Sequence, residues 1–173
     1  TVEALKIPVI AGGGIANGKG LAAALALGAD GILMGSRFMA TKESLLHDNV
    51  KQWMVEATEN DAVLIQKTIG STTRVALNSV AKTVLEKESK GATVDELLPL
   101  IRGNRAKKVF LEGDLEAGVW SCGSSIGLIH EVLTVKEVIK NIIDEAKSSL
   151  ERMNRIMQGV KQVTEYLIDE QML

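Results

Sequence analysis

Ile7-Pro-Val-Ile-Ala-Gly-Gly-Gly-Ile-Ala-Asn-Gly18 is the stretch that decides the fold. Its opening residues, Ile7 to Ala11, are short, apolar and β-branched, the make-up of a strand buried on both faces. Pro8 is tolerated at a strand entry. Gly12-Gly-Gly14 ends the run, and Gly20-Leu-Ala-Ala-Ala-Leu-Ala-Leu27 follows as a helix of small residues closed by Gly28 at the C′ position. Gly31-Ile-Leu-Met34 is a second apolar strand, ended by Gly35, with Ser36 placed to cap a following turn. Strand, glycine turn, alanine-rich helix and strand make one βαβ crossover. Two buried parallel strands need neighbours on both edges, so the crossover is expected to belong to a larger α/β body. The start at Thr1 rather than Met points to a partial sequence.

The totals narrow the class. The chain has 173 residues, 46% hydrophobic and 24% charged, enough for one globular domain with its own core. Aromatic residues are only 3%, so Ala, Val, Ile and Leu must build that core. A net charge of −2, with no Lys/Arg stripe interleaved with aromatics, argues against a nucleic-acid partner. One cysteine, Cys122, excludes an internal disulfide and a multi-cysteine metal site, and fits a cytoplasmic protein. No apolar run approaches a membrane span, and no signal peptide opens the chain. No set of residues has metal-ligand spacing, and none forms a nucleophile, base and orienter.

Beyond the crossover, apolar residues recur at helical spacing from Glu43 to about Thr58. Val63-Leu-Ile65 and Thr72-Thr-Arg-Val75 read as extended pieces, Val80 to Glu88 as a helix ending near Gly91. Thr93 and Glu96 form a capping-box pair that starts another helix. Trp120-Ser-Cys-Gly-Ser-Ser-Ile-Gly127 is a loop of small residues, and Thr134 to about Ile168 is helical, in one piece or two.

The two glycine turns carry the chemistry. Backbone N–H groups between a strand and a helix have no helical partner, and the helix dipole adds positive potential, so both turns favour a phosphate. Glycine lets the anion approach. Consecutive late strands of (β/α)₈ barrels share one phosphate in this way.

Ile7–Gly18, Gly28-Ala-Asp-Gly31 and Met34-Gly-Ser-Arg-Phe38 together resemble the last two βα units of nitronate monooxygenases. Ala40-Thr-Lys-Glu43, His47, Asn60-Asp61, Thr73-Arg74, Asn78, Glu112-Gly-Asp114, Gly118-Val-Trp120 and Gly127-Leu-Ile129 extend the resemblance over about the first 150 residues. It implies the C-terminal portion of a (β/α)₈ TIM barrel: last βα units over 1–49, a mainly helical insertion over about 50–111, then a closing loop and C-terminal helices over 112–173. It implies FMN as cofactor, held by Gly13 and Gly14 from the first turn and by Leu33, Met34, Gly35 and Ser36 from the second. Leu33 stands where Gln is common, and Ser124 where a late Gln would be. The implied reaction is oxidation of an alkyl nitronate by dioxygen to a carbonyl compound and nitrite. The catalytic base is expected upstream of Thr1. A flavin-dependent enoyl-acyl-carrier-protein reductase resembles the same barrel, and an inactive fragment is the third reading.

Other residues have simpler readings beside the chemical ones. His47 suits a surface contact better than a catalytic base, and His130 a capping or packing role. Cys122 is either a reactive thiol or an inert small residue. Arg37 can face the phosphate or pair with Glu43 or Asp30, while Asp30 fits a structural place at the foot of its strand. Trp53 and Trp120 belong to a core or a lid. The partners expected are a small-molecule substrate and O₂, without nucleic acid or membrane; the C-terminal apolar stripe can dock on the barrel or on a second copy.

Overall fold

The computed structural model describes the backbone of residues 1–170 and the side chains of residues 1–160. Two units divide it. The first comprises Thr1–Ala11, Asn17–Ile32 and Ile139–Leu173; the second comprises Gly12–Ala16 and Leu33–Val138.

In the first unit, strand β1 (Ile10–Gly12) leads to helix α1 (Gly18–Ala26) and strand β2 (Gly31–Leu33), each strand running one residue beyond it. The helix starts earlier than expected because Asn17, not a glycine, caps it: its Oδ1 accepts the Gly20 N–H at 3.0 Å. The two strands are hydrogen-bonded neighbours. At their feet Val9 O accepts the Asp30 N–H at 2.8 Å, and Asp30 Oδ2 accepts the Val9 N–H at 2.8 Å. Asp30 is thus a structural clasp. At their ends a Cβ on Gly12 would stand 3.6 Å from Leu33 Cβ, so the strands run parallel and finish side by side. The long helix α7 (Val135–Glu170) is one piece, and α1 packs on it so closely that a Cβ on Gly18 would collide with the backbone of Ile142 and Ala146. Gly18 N–H donates to Glu145 Oε2 at 2.7 Å.

The second unit carries α2 (Ser36–Met39), α3 (Asp48–Glu56), β3 (Ala62–Ile65), β4 (Thr73–Ala76), α4 (Ser79–Ser89), α5 (Val94–Ile101) and α6 (Gly103–Glu112). Residues 50–111 thus hold strands as well as helices. The two extended pieces pair as an antiparallel hairpin, from Ala62↔Ala76 to Ile65↔Thr73. Helix α3 begins at Asp48 rather than near Glu43 because His47 caps it, Nδ1 accepting the Asn49 N–H at 3.1 Å. Thr93 and Glu96 form the expected capping box, and Thr58/Asp61 and Thr134/Glu137 form two more.

Two apolar clusters hold this unit. Ile65, Val75, Ala81, Val84 and Leu97 lie where the hairpin meets α4 and α5. Val50, Met54, Val109, Trp120, Ile126 and Ile129 form the other, with α3, α6 and the late loop. Burying each Val, Leu, Ile or Met side chain among them contributes about 1.5–3 kcal/mol.

Candidate cofactor site

All six residues expected to grip the cofactor lie in the second unit. Gly13 and Gly14 follow β1 with φ of +101° and +73°, the left-handed region open to glycine without penalty. Both are exposed, as is Gly35 after β2. A Cβ built on Gly13, Gly14 or Gly35 would meet nothing within 4 Å, so these turns front open space that a side chain would occupy. Since β1 and β2 end side by side, the two turns flank one region. Leu33 is 68% exposed at that edge, an apolar side chain suited to cover a planar ring and unable to hydrogen-bond one.

Ser36 does not cap α2; Gly35 holds that position. Instead the Ser36 side chain is buried, and its Oγ accepts the Gly123 N–H at 2.8 Å. That bond ties the late loop to the second turn and leaves the hydroxyl hydrogen free to donate to an anion. Arg37 pairs with neither Glu43 nor Asp30. Its guanidinium is buried, and Nη2 donates to Ala40 O at 3.0 Å and Glu131 O at 2.9 Å. Its Nε is buried without a partner. Burial pulls its pKa below the ordinary value, partly offset by the charge of Glu131. A buried cation beside an anion-directed turn, glycines fronting open space and a free hydroxyl hydrogen fit a flavin phosphate.

The remaining candidates resolve into structural roles. Cys122 is 3% exposed, and burial pushes its thiol up to about 12, so it stays protonated and the reactive reading fails. His47 is a helix cap whose backbone N–H reaches Phe110 O at 2.7 Å. His130 is exposed and does not cap α7, a task done by Thr134 with Glu137. Trp120 is core, with Trp53 edge-on at 4.8 Å and Phe110 at 6.2 Å between ring centres. Among the described residues no helix is long and apolar enough to cross a membrane, and no His, Cys, Asp and Glu cluster could hold a metal. Sequence reasoning missed the Ser36–Gly123 tie, for which no local signal exists, because the partners are far apart in the chain. It also missed the Thr58/Asp61 and Thr134/Glu137 boxes, whose Thr-x-x-acid spacing was visible.

Comparison with known proteins bears directly on these turns. The nitronate monooxygenase family model matches residues 1–145. The chain belongs to that family. A 5-hydroxy-7a-methyl-1-oxo-octahydro-1H-indene-4-carboxyl-CoA dehydrogenase of Rhodococcus jostii (strain RHA1) is 29% identical over 90% of this chain and 54% of its own. A probable nitronate monooxygenase of Bacillus subtilis (strain 168) is 30% identical over 83% of this chain and 41% of its own. Among solved structures, FabK from Thermotoga maritima superposes with a TM-score of 0.84 at 36% identity, covering 90% of this chain and 49% of that one. The chain thus spans about half the length of these relatives. The family is flavin-dependent and its fold neighbours are TIM barrels, so the α/β architecture here is a partial barrel, as the sequence implied.

Proposed function

We propose that the protein is an FMN-dependent oxidoreductase that oxidises alkyl nitronates with dioxygen to a carbonyl compound and nitrite. The observation that carries this reading is the pair of glycine turns after adjacent parallel strands, in a chain that matches the nitronate monooxygenase family. Backbone N–H groups of Gly13, Gly14, Gly35 and Ser36, with the Ser36 hydroxyl, would hold the phosphate. Leu33 and Met34 would lie along the ring system. Bound FMN supplies the redox chemistry between nitronate and dioxygen. This chain's own part is to bind and orient: fixed backbone dipoles need no reorganisation to meet a charged group. Segment 50–111, read as a cover over the flavin, would exclude water. A cytoplasmic enzyme, alone or as a homo-oligomer, fits this reading.

The test is direct. Purified protein should bind FMN, consume O₂ with an added alkyl nitronate and release nitrite. A second reading, a flavin-dependent oxidoreductase of acyl thioesters such as an enoyl-acyl-carrier-protein reductase, is favoured by the likeness to the R. jostii carboxyl-CoA dehydrogenase. Rapid flavin reduction by NADH that nitronate leaves unchanged would transfer the assignment to it. Colourless protein after incubation with FMN and gel filtration would support the inactive fragment.

A further inference from the structure

A cavity of about 460 Å³ lies within the second unit, its lining apolar except along the hairpin. Thr73 and Val75 line it from β4, two residues apart and so on one face of the strand. Ser121 extends that wall through its antiparallel bridge to Val75, and Gln66, the residue after β3, completes it. The polar groups there are not equivalent. The Thr73 hydroxyl already donates to Ser71 O at 3.1 Å, and Ser121 is exposed to water. Gln66 is half-buried, and its amide forms no hydrogen bond among the described residues.

The backbone at Gln66 is strained. It has φ of +64°, and no other described non-glycine residue has a positive φ. Gly70, in the same turn, has φ of +69°. The turn therefore needs the left-handed region twice. It meets the need once with glycine, which enters freely, and once with a residue that does not. Packing does not account for that choice, since Gln66 belongs to neither apolar cluster. Non-glycine residues fixed in this region gather at ligand clamps.

The conformation is enforced by Glu88, in the last turn of α4. Its Oε2 accepts the Gln66 N–H at 2.9 Å, and its Oε1 accepts the Thr68 N–H at 3.0 Å and hydroxyl at 2.9 Å. Across the turn, Ser71 N–H donates to Gln66 O at 3.2 Å. Glu88 does not itself line the cavity, so it acts there only through the backbone it fixes.

Resting on the nitronate reading above, we infer that Gln66 is a specificity-determining residue and Glu88 its positioning residue. The Gln66 amide N–H groups donate to the nitronate oxygens. An anion taken into an apolar cavity needs donors, and a primary amide offers two without adding a charge of its own. The experiment separates binding from turnover. Protein freed of flavin is titrated with propyl nitronate and with neutral 1-nitropropane, following tryptophan fluorescence, since Trp120 lines the cavity. Nitronate should bind saturably. Gln66→Leu should weaken it about tenfold and the neutral nitroalkane about threefold, because a charged acceptor roughly doubles the strength of a hydrogen bond. Glu88→Ala should weaken nitronate too, with no further loss when it is added to Gln66→Leu, the coupling of a residue that acts through another. Gln66→Gly should keep the urea midpoint at or above that of wild type, because the strain is gone, yet bind nitronate as weakly as Gln66→Leu. Lost binding in that variant is then not misfolding. No saturable binding, equal loss for the two ligands, additive loss in the double variant or a lowered midpoint for Gln66→Gly would overturn the inference. With FMN restored, turnover that Gln66→Leu leaves untouched would overturn it alone. Binding that depends on Gln66 but yields no oxygen uptake or nitrite would uphold it and overturn the nitronate oxidation instead.

Discussion

The two glycine turns and a cavity of about 460 Å³ within the second unit are built of different materials. The turns present backbone: exposed glycines, two with positive φ, facing open space after two strands that end together. The cavity presents side chains gathered from α2, strand β4 and the turn before it, α6 and the late loop, with walls set by the same packing that holds the core. Material made of backbone is specified within a few residues and tolerates change around it. Material made of packed side chains depends on every element that delivers one. Perturbing the two regions should therefore fail in different ways: ligand affinity without much stability at the turns, stability first in the cavity.

The largest effect is expected at Trp120, 2% exposed and clasped by Trp53 and Phe110. Trp120→Ala should cost roughly 3–5 kcal/mol of folding stability, read as a lower urea midpoint. A midpoint near wild type would mean that this wall of the cavity is not core, and the contrast between the regions would collapse. Gly14→Val works at the other pole. At φ +73° a β-branched residue is strained by about 1–2 kcal/mol, and its side chain enters the space proposed for the phosphate. Fluorescence titration should show FMN weakened at least tenfold, with riboflavin, which lacks the phosphate, changed far less. Equal loss for both flavins would remove the phosphate from this turn.

Legibility in the sequence follows the same division. Gly12-Gly-Gly14 and Gly35 are local signals, and strands, crossover helix and turns appeared in the expected order; β1 is shorter than Ile7 to Ala11 and its Ile10 is exposed rather than buried, while caps such as Asn17 and His47 moved the helix starts. The hairpin's two strands were also visible as Val63–Ile65 and Thr72–Val75, but their pairing was not: the turn between them begins with Gln66 in a left-handed conformation, its N–H held by Glu88 twenty-two residues away, a tie that no local pattern marks. Arg37 illustrates the limit. Its charge invited carboxylate partners, yet folding gave it the carbonyls of Ala40 and Glu131, acceptors that every residue carries and no sequence pattern marks.

Ser36 stands where the two kinds of material meet, since a buried side chain there anchors the late loop to a backbone turn. Ser36→Ala leaves the Gly123 N–H without its acceptor and should cost about 1–3 kcal/mol, between the two previous cases in kind though smaller than the first. FMN should weaken too, through loss of the hydroxyl donor. Unchanged stability with weakened FMN would show that the tie to Gly123 matters only for the ligand.

The smallest effect separates local devices from packing altogether. In the capping boxes the Thr134 hydroxyl and N–H hold the Glu137 carboxyl below its ordinary 4.5, and the Thr93 N–H and hydroxyl do the same for Glu96. A carboxyl depressed in the folded state is protonated first in the unfolded chain, so acid favours unfolding. The stabilisation is complete above about pH 4.5 and fades as pH falls through the lower folded values. Glu137→Gln keeps an acceptor and removes the titration. Its melting temperature should fall slightly less steeply than wild type below about pH 4.5, and the two slopes should coincide above about pH 5. An identical slope would mean that the box at the head of α7 adds no acid sensitivity, and that the acid response comes from elsewhere in the chain.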